Sequence, residues 1–154
     1  MSIQKFFENK KVLITGCAGT VGTELARQLT PCGLAELRLL DNHENSLFRL
    51  DSVVNPPRHT SVVPILGDVR NLGTLMGATH DIDIVLHTAA LKHVEICERN
   101  PLEAVETNIR GVQNIVAASL TNRVGKLIYT SSDKAVNPTN VMGATKLMGE
   151  RLVT

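Results

Sequence analysis

Cysteine, an excess of charge of one sign and long apolar runs are what this 154-residue sequence has little of. Its three cysteines, Cys17, Cys32 and Cys97, are far apart and form no C-x-x-C pair. That pattern argues against a disulfide framework and a metal site built on thiolates, and a reducing cytoplasm is the expected compartment. With 16 Lys and Arg against 15 Asp and Glu, the formal net charge is +1. The basic residues are scattered, so neither a nucleic-acid face nor a membrane-surface patch is expected. No apolar run has the length of a membrane span. The first residues mix Lys5, Glu8, Lys10 and Lys11 with Phe6 and Phe7, which reads as a short lead-in helix rather than a signal peptide. Internal repeats and low-complexity tracts are missing too. What is there is 43% hydrophobic and 20% charged, ordinary for one globular domain, 1–154, with a sizeable core.

Apolar runs of strand length recur at Lys11 to Thr15, Glu36 to Leu40, Val62 to Leu66, Ile84 to Thr88 and Lys126 to Thr130, with helical or polar stretches between them. Such βα alternation predicts an α/β fold. The expected form is a Rossmann-like, doubly wound parallel sheet in the order 3-2-1-4-5, with helices on both faces. A first helix over Val21 to Leu29 is closed by Thr30-Pro31-Cys32-Gly33. After the fourth run, Asn100-Pro101-Leu102-Glu103 supplies an N-cap, a proline at the first helical position and a glutamate at the third. Val105, Ile109, Val112 and Val116 are then expected to pack on the sheet, with Glu106, Arg110 and Gln113 facing away. A last helix starts near Met142, with Met148 and Leu152 on a face for core or dimer contact. The chain stops at Thr154, within or just after that helix. The expectation is therefore a fragment with an exposed flank at the fifth strand, truncated before a substrate-binding region that would lie beyond 154.

Gly16-Cys17-Ala18-Gly19-Thr20-Val21-Gly22 joins the first strand directly to the first helix. Glycines there let backbone N–H groups approach a pyrophosphate at the positive helix end, so Gly16, Gly19, Thr20, Val21 and Gly22 are candidate cofactor contacts. Asp41 stands 19 residues beyond Gly22, at the end of the second strand, where a carboxylate can accept from the adenosine ribose hydroxyls and would repel a 2′-phosphate. No Arg or Lys follows in Asn42-His43-Glu44-Asn45, so NAD is favoured and NADP is the alternative. A plain turn cap is the competing reading of Asp41. Asp68 and Val69 fall where the adenine edge should lie, unless Asp68 merely caps the next helix. Ala89, Ala90 and Lys92 fall where the chain must pass the nicotinamide. His87 and His93 have no further ligand at suitable spacing, so no metal site is read.

Ser131-Ser132-Asp133-Lys134 follows the fifth strand, and Met142-Gly143-Ala144-Thr145-Lys146 opens the last helix. Hydroxyls, a carboxylate and amines thus gather at the carboxyl end of the sheet, where open α/β folds bind ligands. With the glycine loop, HTAALKHVE (His87 to Glu95), TNIRG (Thr107 to Gly111) and SSDKAVNPTNVMGATKLMGE (Ser131 to Glu150), the chain resembles an extended short-chain dehydrogenase. More narrowly it is similar to the CapD-like nucleotide-sugar 4,6-dehydratases of polysaccharide biosynthesis, the UDP-N-acetylglucosamine inverting type.

That resemblance implies a redox-neutral reaction. Hydride leaves the sugar C4 for NAD(P)+, water is lost across C5 and C6, and hydride returns to C6, giving a 4-keto-6-deoxy sugar nucleotide. It implies Lys134 as base and Asp133 as acid, which requires burial under substrate and opposing pKa shifts. Asn108 is implied to hydrogen-bond near the site, although a helix-packing role competes. Short-chain dehydrogenases place Tyr and Lys one turn apart on one helix face. Here Met142 holds the Tyr position, and a thioether cannot exchange a proton. Ser132 is expected to take over, with Lys146 stabilising developing alkoxide charge and binding the nicotinamide ribose. A sugar-nucleotide substrate and, for a full-length chain, a homo-oligomer are expected. A catalytically silent NAD-binding module and an epimerase or ketoreductase are the other readings, and the 154-residue piece alone is expected to be inactive.

Overall fold

Five parallel strands form one sheet in the order β3-β2-β1-β4-β5, each within a residue of its expected bounds: β1 Lys11–Thr15, β2 Glu36–Asp41, β3 Ser61–Leu66, β4 Ile84–His87 and β5 Lys126–Tyr129. The computed structural model describes residues 2–54 and 60–154, those of 51–53 as backbone only. Register is continuous across the middle of the sheet, with Leu13 beside both Arg38 and Val85, and Thr15 beside His87, which in turn lies beside Tyr129. Because side chains alternate along a strand, these pairings put Thr15, His87 and Tyr129 in one row on one face. The lead-in helix α1 (Ile3–Phe7), α2 (Thr20–Leu29) and α3 (Glu44–Val53) pack on the other face, around Val12, Ile14, Leu37, Leu39, Ile84 and Leu86.

Burial is complete in β4 and nearly so in β1, while β2 leaves Glu36, Arg38 and Asp41 half-buried. In β3 Ser61, Pro64 and Leu66 are exposed, and in β5 Lys126 and Ile128 are. These are the two edges of the sheet, where each strand has a single neighbour. An edge position is also what permits Pro64, which has no N–H to give to a ladder.

The face bearing His87 is covered by α4 (Leu72–Thr79), by α7 (Gly111–Thr121) and by α8 (Val141–Val153). Asn71, not Asp68, caps α4, its side chain accepting from the Thr74 N–H at 3.0 Å. A short helix, α5 (Val94–Arg99), precedes the expected one, which begins at Pro101 and runs without a break as α6 (Pro101–Val105), a π-helical turn over Glu106–Arg110 and α7. Asn100 gives α6 no side-chain cap, since its amide instead donates to the Ile96 carbonyl at 3.0 Å. The π turn winds wider than an α turn. The stripe that reaches the core is Ala104, Asn108, Gly111, Val112, Ile115 and Ala118. Val105, expected on the sheet, is 39% exposed, while Ile109 and Val116 are half-buried. Met148 also projects outward, 48% exposed.

Replacing Ile115 by Ala is expected to cost about 2–5 kcal/mol. Val105→Ala should stay within about 0.5 kcal/mol. Urea denaturation of the two variants reads which face is inward, and equal losses would contradict it.

Candidate active site

The chain leaves β1 at Gly16 with φ +68°, and a Cβ there would lie 2.6 Å from Ala89 Cα. Only glycine lets the loop rest directly on the backbone leaving β4. Gly22 is needed for a similar reason within the first turn of α2, where a Cβ would overlap the Gly16 carbonyl and come within 2.6 Å of Cys17 Cα. Gly19 is the N-cap of α2 and, having no side chain, caps none of its N–H groups. The amides of Thr20, Val21 and Gly22 therefore begin a helix with no side-chain acceptor of their own, at its positive end.

Asp41 fixes the other wall. Its Oδ2 accepts from the Ala18 N–H and its Oδ1 from the His43 N–H, each at 3.0 Å. It thus does cap a turn, and it also ties the glycine loop to the end of β2. Asp68 accepts from the Arg70 N–H at 2.8 Å and from the Arg70 guanidinium at 2.7 and 3.0 Å. Those bonds hold its carboxyl below the usual carboxylate range, the guanidinium first among the causes. Arg70 also donates to Glu103 at 2.8 Å, so the cation is shared between two carboxylates.

Between these walls lies a cleft of about 380 Å³, ample for part of a nucleotide. Gly16, Gly19, Thr20, Val21, Gly22, Asp41, Asn42, Asp68, Val69, Ala89, Ala90 and Lys92 all line it. So do Arg70, Glu103 and Thr107, which the sequence reading missed. Arg70 adjoins the Asp68-Val69 pair and Thr107 adjoins Asn108, but no periodicity singles either out.

Asn108 does not line the cleft. It is buried at 1% exposure, its Oδ1 accepting from the Leu91 N–H at 2.8 Å and its Nδ2 donating to the Leu91 carbonyl and to Thr145 Oγ1, both at 2.9 Å. It acts by holding Leu91, a wall of the cleft, against α8. Within the π turn, Thr107 lines the cleft and Asn108 is buried beside it.

The second group of expected residues is gathered at the end of β5, outside that cleft. Ser132 caps a 3-10 turn over Asp133–Ala135, accepting from the Lys134 N–H at 3.3 Å and donating to Asp133 at 3.0 Å. Lys134 Nζ lies 3.3 Å from the same carboxylate. Both charges are exposed, and the Ser132 hydroxyl, then Lys134, hold the Asp133 carboxyl below its ordinary range. The burial expected of an acid–base pair is thus not present in the chain by itself, the Asp133 side chain being 86% exposed. α8 is capped by Asn140, which accepts from the Gly143 N–H at 2.8 Å, and Gly143 lets it press on the Lys134 carbonyl.

Met142 and Lys146 share the buried side of α8 but reach different surroundings. Met142 packs with Cys97 and Ala104 in an apolar cluster, so it fills core rather than facing substrate. Lys146 is also buried, and its Nζ donates to the Thr130 carbonyl at 2.6 Å. Burial lowers its pKa to about 8. His87 is buried, paired with Thr15 Oγ1 through Nδ1 at 2.6 Å, and its Nε2 has no partner among the described residues. Burial first, and the Lys146 charge second, lower its pKa to about 3. His93 stands exposed before α5. Among the described residues no group of three or more His, Cys, Asp or Glu could hold a metal ion.

Residues 12–154 match the family described as polysaccharide biosynthesis protein. The chain belongs to that family, within the short-chain dehydrogenase superfamily. It is 44% identical over 97% of its length to an uncharacterized membrane protein of Methanocaldococcus jannaschii, covering 44% of that protein. It is 40% identical over 95% of its length to the UDP-N-acetylglucosamine 4,6-dehydratase (inverting) of Campylobacter jejuni, covering 43% of it. Among solved structures, Pen from Bacillus thuringiensis superposes with a TM-score of 0.91 at 40% identity, over 96% of this chain and 46% of that one. The UDP-glucose-4-epimerase of Stenotrophomonas maltophila, with bound NAD and formylated UDP-arabinopyranose, gives 0.81 at 25% identity, over 94% of this chain and 47% of that one. The chain thus spans about half the length of the relatives it matches. Among the described residues no helix is long and apolar enough to cross a membrane.

A neutral buried His87 carries a signature in pH. An unfolded histidine holds its proton below its ordinary 6.5, and the folded one sheds it down to about 3. Between those values the unfolded chain binds more protons, so stability is full above pH 6.5 and falls as pH drops toward 3. His87→Leu is expected to flatten this portion of the decline, leaving that of the carboxylates, in urea midpoints compared from pH 7 to pH 4.

Proposed function

We propose that this chain is the cofactor-binding half of an NAD-dependent nucleotide-sugar 4,6-dehydratase of surface polysaccharide biosynthesis, acting on UDP-N-acetylglucosamine or a closely related sugar nucleotide. The observation that carries the reading is the shared edge. The glycine-loop cleft and the Ser132-Asp133-Lys134 turn both stand at the carboxyl ends of the strands, a dinucleotide cradle beside a proton-transfer group. The open amides of Thr20, Val21 and Gly22 suit a pyrophosphate, and Asp41 suits a ribose diol. NAD rather than NADP follows from the acid at that place, since Arg70, the nearby cation of the cleft, is engaged by Asp68 and Glu103. When bound, NAD supplies a hydride acceptor that later gives the hydride back.

The chain's own residues handle protons. Ser132 takes the C4 hydroxyl proton, with the Lys146 amine stabilising negative charge on that oxygen. Lys134 removes the C5 proton and Asp133 protonates the departing C6 hydroxyl. For the last two roles Asp133 and Lys134 must lose water. The sugar nucleotide, together with the half of the relatives' length not represented here, is the cover that would remove it. The second reading is a 4-epimerase, favoured by the depressed Asp133 carboxyl, because epimerisation needs no acid there.

Isothermal titration of the 154-residue chain with NAD is expected to show weak binding, and Gly22→Ala, which drives a Cβ into the Gly16 carbonyl, should abolish it. Undiminished binding by that variant would sink the cradle. Joined to the C-terminal half that the relatives carry, the protein should convert UDP-N-acetylglucosamine to a product lighter by one water in mass spectrometry, whereas the 154 residues alone should not. A product of unchanged mass decides for epimerisation. In the longer protein Ser132→Ala should lower kcat by about 10²-fold or more, and a variant as fast as the parent would remove Ser132 from the chemistry.

A further inference from the structure

Lys146 is only 5% exposed, yet its charge does not stand in a purely apolar hole. Besides the bond to the Thr130 carbonyl, Nζ lies 4.3 Å from the centroid of the Tyr129 ring. Tyr129 is the chain's one tyrosine. It ends β5 and stacks on the His87 imidazole, with centroids 5.9 Å apart and planes 21° apart. The helix above is cut away to admit the ring: a Cβ on Gly149 would overlap Tyr129 Oη and lie 2.8 Å from Cζ. The phenol itself is barely used, its Oη being 3.5 Å from the Lys146 carbonyl. The π face is therefore the portion of this residue that bears on the amine.

We infer that Tyr129 is the positioning residue of Lys146, the face of its ring and the Thr130 carbonyl together fixing the amine at the carboxyl end of β5, with Gly149 as the space that lets the ring lie there. An aliphatic residue could fill the same volume but has no negative face to offer a desolvated ammonium. The titratable groups around the amine are His87 from β4, Tyr129 from β5 and Glu150 from α8, the last engaged by the Ser131 hydroxyl. What the amine then does to a substrate rests on the proposed dehydratase reading. Its placement does not.

The test is the titration of Lys146 in the cofactor-free chain, followed by nuclear magnetic resonance of ε-13C-lysine and assigned with Lys146→Met. The parent should titrate near the value of about 8 that its burial gives. Tyr129→Leu should lower this by about one unit, tenfold in proton affinity, while Tyr129→Phe, which keeps the ring face, should restore it. An unchanged or raised value in Tyr129→Leu overturns the inference, as does a Phe variant that shifts as far as Leu. Should Tyr129→Leu not fold, Gly149→Ala, which pushes the ring aside without removing it, is expected to give the same downward shift, and its absence counts equally against the inference. No cofactor or substrate enters this measurement, so a failed dehydratase assay and a failed positioning role are seen separately.

Discussion

The close approach of the glycine loop to the chain leaving β4 is the contact on which the site is built. Two backbones meet at Gly16 and Ala89 with no side chain between them, and that sets where α2 begins, how its first amides are aimed and how near Ala89 and Ala90 come to them. Any Cβ at Gly16 would have to displace main chain, which cannot yield as a flexible side chain can. Asp41 completes the frame by holding the Ala18 amide from the neighbouring strand.

Electrostatics divides the strand ends into two regimes. Around the cleft the charges are exposed or half-exposed and paired, Arg70 with Asp68 and Glu103, and pairs of that kind contribute little to stability. Under α8 the groups are few and buried, and burial dominates: His87 is held neutral and the Lys146 ammonium is weakened. The Asp133 and Lys134 pair belongs to the first regime in this chain, although the chemistry assigned to it belongs to the second. Covering that one turn would move the pair from one regime to the other, since desolvation raises a carboxyl and lowers an amine.

The strands, their order and the cleft residues were legible because they rest on patterns with a direct physical meaning: apolar runs of strand length, glycines between strand and helix, an acid at a strand end. The helix after β4 was misread for an equally physical reason. Val105, Ile109, Val112 and Val116 keep a helical spacing, but of these Val112 alone is fully buried, and Ala104, Asn108, Gly111 and Ile115 take the other inward positions. Hydrophobic periodicity gives little weight to Ala104, Gly111 or Asn108, and Asn108 lies buried with its bonds to Leu91 and Thr145. Met142 shows the same limit. Its place one turn before Lys146 was right, but which environment each side chain enters depends on α5 and α6, elements that only the assembled fold brings beneath it.

Met142 and Tyr129 can be understood together. A tyrosine one turn before the lysine would carry a hydroxyl into the apolar cluster of Cys97 and Ala104, where no partner for it stands among the described residues of that cluster, and an unpaired buried hydroxyl is costly. Methionine fills that space without such a demand. The aromatic ring of this neighbourhood is supplied from β5 instead, packed under α8 at Gly149 with its face, not its hydroxyl, toward the amine. A ring used that way can hold a cation but is a poor proton acceptor, the more so because burial pushes the Tyr129 phenol up to about 12. Ser132, the proton acceptor we propose, stands instead half-buried beside Asp133 at the end of β5.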